Sequence, residues 1–189
     1  MNHQQLELPT GALVIAAIKP WMEEQRQQLR KRGRSLNTAE LQALQGYFSS
    51  TTLDSIIVCS IQDFTALEPP SFYVMLQQQQ GALPIDLTRI IGLTLIDTII
   101  IKAEGTESFP CWLAILFQQC VHVVQYKVLG LDGFLHAYWQ GWLEHGMTHE
   151  TIPLEEEAEF LKHRFVENPR HKFSVEQAVA HRHHRLAES

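Results

Sequence analysis

Residues 115–126 read ILFQQCVHVVQY, an apolar stretch in which Gln118, Gln119 and His122 are the side chains able to do chemistry. On a helix, residues four apart lie on one face, so positions 118 and 122 have the spacing to hold one metal ion between them. A glutamate directly after the first ligand could then take a proton from metal-bound water. The side chains at these places do not supply that chemistry. Gln118 offers a neutral amide oxygen, a poor zinc ligand. Gln119 has nearly the shape of glutamate but no carboxylate to accept a proton. His122 keeps its imidazole, and a lone histidine on an apolar helix is by default a hydrogen-bonded core residue. The residues alone therefore predict no catalytic group and no bound metal.

The elements that must position this stretch can be read from periodicity and punctuation. Residues 10–34 have a helical pattern, with Leu13, Ala17, Met22 and Leu29 near one face and Pro20 expected to kink or divide it. The basic run Arg26, Arg30, Lys31, Arg32 and Arg34 reads as a solvated helix end stopped by Gly33, since no aromatic residues interleave with it. Asn37 or Thr38 caps a short helix over 39–48. Ser55–Ile61 reads as a strand, residues 68–70 as a loop, and Ser71–Leu76 as a second short strand. LTLIDTIII, Leu93–Ile101, carries the strongest strand signal, rich in β-branched residues. A helix then runs from Phe109 to Leu129, with Ser108 as N-cap, Pro110 in its first turn and Gly130 as its stop. A second, Phe134–His145, carries an aromatic stripe closed by Gly146. Pro153 opens another with Glu155, Glu156 and Glu157 in its first turn, and Ser174 caps a last helix to about Arg185. Helices, then strands, then helices predict an α+β fold.

Bulk properties narrow the class. The 189 residues, 45% hydrophobic and 19% charged, predict a single domain over 1–189 with a real core. A net charge of -6 argues against nucleic acid as a partner. The apolar run Gly11–Ile18 is too short to cross a bilayer and no longer run exists, so no membrane span is expected. Cys59, Cys111 and Cys120 form no CxxC pair and read as reduced, buried thiols of a cytoplasmic protein. The interrupted cluster His181, His183 and His184 reads as exposed.

From Gly92 to about Phe160 the chain resembles a family of small bacterial zinc-metallopeptidase-like domains of the gluzincin type. GLTLIDTIII corresponds to the family's strand and VHVVQY, Val121–Tyr126, to the end of its HExxH helix. LGLDGFLHAYWQGWLEHG corresponds to the connecting helix, and IPLEEEAEF, Ile152–Phe160, to its third-ligand segment. The resemblance implies a zincin-like core over about 92–166, with a C-terminal helix or tail over about 173–189. It places His122 at the second histidine and Glu155, with Ala158 three residues on, at the third ligand; Glu157 is the next candidate. Gln118 and Gln119 depart from the family at the first ligand and the base. The resulting expectation is a catalytically inactive relative, kept as a binding or scaffold module for a peptide, protein or small molecule. Its cleft would be lined by Gln118, Gln119, His122, Tyr126 and Glu155. The alternative is an active zinc hydrolase with a rearranged ligand set, built on His122, Glu155 and a recruited histidine.

Overall fold

The computed structural model describes residues 11–62, 64, 67, 69, 89–104, 106 and 108–187. Among these, the chain folds as α1 (Gly11–Arg30), α2 (Thr38–Leu44), α3 (Ser50–Ser55), β1 (Ile57–Ile61), β2 (Gly92–Leu95), β3 (Thr98–Lys102), α4 (Phe109–Glu144), α5 (Pro153–Glu167) and α6 (Val175–Ala187). The fold is α+β. The strand expected at Ser71–Leu76 and most of the loop at 68–70 lie outside the described residues. No described helix is long and apolar enough to cross a membrane.

The three strands form one sheet in the order β1-β3-β2, with β1 parallel to β3 and β2 antiparallel to it. LTLIDTIII is therefore not one strand but a hairpin. Leu95 pairs with Thr98 across a turn at Ile96 and Asp97, and Ile96 takes a φ of 62°. A β-branched residue in the left-handed region is strained, and no glycine marks the turn. Tertiary partners hold it there. Arg26 on α1 grips both oxygens of Asp97, at 2.7 and 2.8 Å, and Arg30 adds an ion pair at 2.9 Å. Three members of the basic run thus have internal acidic partners, because Arg34 pairs with Glu40 as well. The Asp97 carboxyl, raised by burial, is lowered overall by these guanidinium groups.

Both faces of the sheet are covered, so Ile99, Ile100 and Ile101 are all fully buried. Ile99 and Ile101 join a core with Phe117, Cys120 and Val124 of α4, Leu161 and Phe165 of α5, and Val175 and Val179 of α6. Phe117 and Phe165 stack there at 4.3 Å between ring centroids. Ile100 instead joins a core with Val14, Ile15, Met22 and Leu29 of α1 and the aromatic stripe of α4. Trp139 and Trp142 are core residues. On α1 the buried face is shifted from the expected one: Val14 and Ile15 are buried while Leu13 and Ala17 are exposed. Pro20 lies inside this single helix rather than dividing it. Cys111 is exposed, against expectation, because it lies in the first turn of α4 outside the packed stripe; Cys59 and Cys120 are buried.

Several local signals act as read. Asn37 caps α2 in a reciprocal capping box with Glu40, and that helix ends at Leu44. Ser108 caps α4, and Ser174 Oγ accepts from the Gln177 N–H at the start of α6. Gly130, at φ 70° and ψ 169°, breaks α4 into two arms. The first arm carries the QQCVH stretch and the second carries the aromatic stripe. After α4, Gly146 and Met147 take φ of 87° and 57° and reverse the chain toward α5. That reversal, and the break at Gly130, set the geometry of the polar centre between α4 and α5.

Candidate functional site

His122 and Glu155 face each other in the buried space between the first arm of α4 and the first turn of α5. Their Nε2 and Oε2 atoms are 3.2 Å apart, and both residues are less than a tenth exposed. His149, in the 3-10 turn His149–Thr151 before α5, brings its Nε2 to 3.7 Å from the same carboxylate oxygen. Tyr138, on the second arm of α4, donates its hydroxyl hydrogen to Glu155 Oε1 at 3.0 Å. Its oxygen lies 2.9 Å from His149 Nδ1. Phe134 lines one side, stacked on Tyr126 at 3.7 Å and edge-on to His122.

Behind His122 stands Gln125, which is wholly buried. Its amide nitrogen donates to the Leu154 carbonyl and to Glu157 Oε2, both at 2.9 Å. Its oxygen therefore faces His122 Nδ1, 2.8 Å away, and that nitrogen must carry the hydrogen. Glu157 also meets His183 of α6 at 3.2 Å, with Arg182 at 3.9 Å. Glu157 is thus a structural link from α4 to the C-terminal helix rather than a group facing His122 directly. His183 is partly buried by this contact, which corrects the expectation of a wholly exposed C-terminal cluster; His181 and His184 are exposed as expected.

Burial disfavours charge on both members of the central pair, but their mutual interaction outweighs it. Burial pushes the His122 imidazole down, and the charge and hydrogen bond of Glu155 carry it above its ordinary value. Burial pushes the Glu155 carboxyl up; the His122 charge and hydrogen bond, the His149 charge and the Tyr138 hydrogen bond hold it well below the usual range. The Cys120 thiol, two residues from His122 on a different face, is pushed far up by burial, with the Glu40 charge adding to it, and lies in the apolar core.

Of the five expected site residues, His122 and Glu155 are brought into contact. Gln119 and Tyr126 lie against β2 instead. The Thr94 hydroxyl is 2.9 Å from the Gln119 side-chain oxygen, and Tyr126 Oη reaches the Thr94 carbonyl at 3.5 Å. The Gln119 side chain lies flat over Gly92, where an added Cβ would stand 2.8 Å from its amide nitrogen. Gln118 points elsewhere, its oxygen accepting from Lys162 Nζ at 3.2 Å. Tyr138, His149 and Gln125 were not among the expected site residues. His149 stands four residues after His145, the spacing of one helix face, but Gly146 interrupts the helix between them. That glycine is the signal that could have found it, since it returns the chain onto α4.

Among the described residues, no group of three or more His, Cys, Asp or Glu side chains could hold a metal ion. The set implied by the family resemblance does not fit zinc, because Gln118 is turned to Lys162. The chain matches no protein-family model, no curated protein and no solved structure.

Proposed function

We propose that this chain is a metallopeptidase-like binding module in which the centre around His122 and Glu155 takes up a ligand without hydrolysing it. The zincin-like core over about 92–166 and the loss of hydrolysis are both part of this reading. The observation that carries it is the position of Gln119. A hydrolase of this type needs a proton acceptor at that place, aimed at water beside the metal. Gln119 is an amide, and its oxygen is engaged by Thr94 while its stem covers Gly92. Neither its chemistry nor its direction suits a general base. What remains at the centre is a concentration of oriented polar groups, His122, His149, Tyr138 and Glu155, suited to holding a ligand.

The test is hydrolysis by the purified chain of a panel of peptide and ester substrates, with and without added zinc. The expected result is no turnover above that of a His122→Ala variant. Chelator-sensitive turnover that disappears in His122→Ala would overturn the reading.

A further inference from the structure

The strap of chain between α4 and α5 is pinned at its two ends. At one end the Met147 N–H donates to the Trp142 carbonyl at 2.9 Å, and Met147 holds a φ of 57° that side chains rarely adopt. At the other end Ile152 is fully buried, and Pro153 packs on Gly141, where an added Cβ would stand 2.7 Å from the proline ring. Between these ends, residues 148–151 include no buried residue. Among the described residues, the Thr148 and Thr151 side chains bond to each other and to the carbonyls of His145 and Thr148. The bonds from the strap to the body of the protein are those of the His149 side chain, to Tyr138 and Glu155. A segment without buried apolar contacts opens at low cost once such a polar latch lets go.

The latch fills its place incompletely. Tyr138 gives its hydrogen to Glu155 Oε1, so its oxygen accepts from His149 Nδ1 at 2.9 Å. His149 Nε2 stands 3.7 Å from Glu155 Oε2, too far for a hydrogen bond. Both groups facing the ring are acceptors, so the place calls for two N–H donors, and an imidazole supplies two only when it is charged. A guanidinium or amidinium group also carries two nitrogens on one carbon, as the imidazole does, and both nitrogens bear hydrogens. Guanidinium keeps its charge at every accessible pH and forms charge-assisted bonds to carboxylates. We infer that His149 is an internal occupant of a site formed by Glu155 and Tyr138, carried on residues 148–151 as a lid and displaced by a ligand bearing a guanidinium or amidinium group. This deepens the binding-module reading and rests on it, naming the class of ligand. Glu155 and Tyr138 are 9% and 8% exposed, beneath a His149 side chain that is 32% exposed. Lifting the strap therefore opens both to solvent, while His122 stays on its own side of the carboxylate.

The test uses the full chain and methylguanidinium, kept far below denaturing concentrations. Binding is measured by calorimetric titration, and lid opening by the rate at which a glutamate-specific protease cuts after the exposed Glu150. The native chain should bind methylguanidinium and be cut several-fold faster in its presence. Tetramethylammonium, a cation without N–H donors, should do neither. His149→Ala should bind methylguanidinium about tenfold more tightly or better, because no internal occupant has to leave first. Glu155→Gln should lose binding, and Tyr138→Phe, which keeps the ring, should weaken it; circular dichroism checks the fold of each variant. The inference is overturned if neither the native chain nor His149→Ala binds methylguanidinium, or if both bind it equally. It is overturned as well if the native chain binds with no change in cutting after Glu150. Substrate turnover by a chain that binds methylguanidinium in this way would sink the non-hydrolytic reading and leave the site standing. An inert chain that does not bind it would do the reverse.

Discussion

Glu40, near the start of α2, and Glu155, near the start of α5, are both buried carboxylates in the first turn of a helix, yet their partners differ in kind. Glu40 is gripped at both oxygens by Arg34, each contact 2.7 Å, and it also accepts from the Asn37 backbone N–H and from Trp112 Nε1, both at 2.8 Å. Its principal partner keeps its charge at every accessible pH. Glu155 is held instead by two imidazoles and a phenol, each able to change protonation or to turn toward another ligand. The first arrangement ties the loop after α1 to α2 and α4. The second gathers groups from three segments of chain around one carboxylate. Burial alone does not mark a functional carboxylate; the ability of its partners to give way does.

The largest difference should appear on neutralising each in turn. Glu40→Gln should cost about 2 kcal/mol of unfolding free energy at neutral pH, since it weakens several charge-assisted hydrogen bonds at once. The shift in the denaturation midpoint with urea measures it. Glu155→Gln should cost less, about 1 kcal/mol, because His122 can release its proton and leave no unpaired buried charge. A larger loss for Glu155→Gln than for Glu40→Gln would erase the distinction drawn here.

The pH dependence separates the two. Arg34 and the hydrogen bonds around Glu40 hold its carboxyl below the ordinary range despite burial. Its contribution is therefore complete above the usual carboxylate pKa and is lost as pH falls through the lower folded-state value. Glu155 behaves likewise at the acid end. His122 is raised above 6.5, so its share of the pair is complete below that pH and is lost as pH rises through the higher folded-state value. The stability difference between the native chain and Glu155→Gln should thus shrink on the alkaline side of pH 6.5. The difference for Glu40→Gln should stay level there. Parallel denaturation curves for both variants from pH 5 to about 9 check this, and a level curve for Glu155→Gln would refute the assigned coupling.

The smallest effect concerns the residue that leaves the centre. Lys162→Ala removes the ammonium group that Gln118 meets and should change stability by no more than about 0.5 kcal/mol. The shift in the urea midpoint measures it. A loss well above that would make the Lys162–Gln118 contact a structural tie between α4 and α5.

Much of the element order was legible because its signals are local. Asn37, Ser108, Pro110, Gly130, Pro153 and Ser174 act on backbone groups within a few residues of themselves, and a cap or a break reads the same in any fold. The exception in the sheet is instructive. Nothing local splits LTLIDTIII, and the turn at Ile96 exists because Arg26 and Arg30, some seventy residues earlier in the chain, hold Asp97. The face of α1 was misplaced for a related reason: which apolar residues of a helix are buried depends on what packs against it. At the centre, the facing of His122 and Glu155 was anticipated through the family resemblance, whereas Tyr138, Gln125 and His149 were not.

The residue types alone determined that positions 118 and 119 could not supply a ligand and a base, because an amide neither binds zinc well nor takes a proton near neutral pH. That conclusion needs no coordinates. Only the tertiary structure decided what stands beside His122. The break at Gly130 directs Tyr138 toward Glu155, and the reversal at Gly146 and Met147 returns His149 to the same carboxylate. Such convergence depends on how rigid helices are joined and packed, a property of the whole chain that the spacing within one helix does not contain.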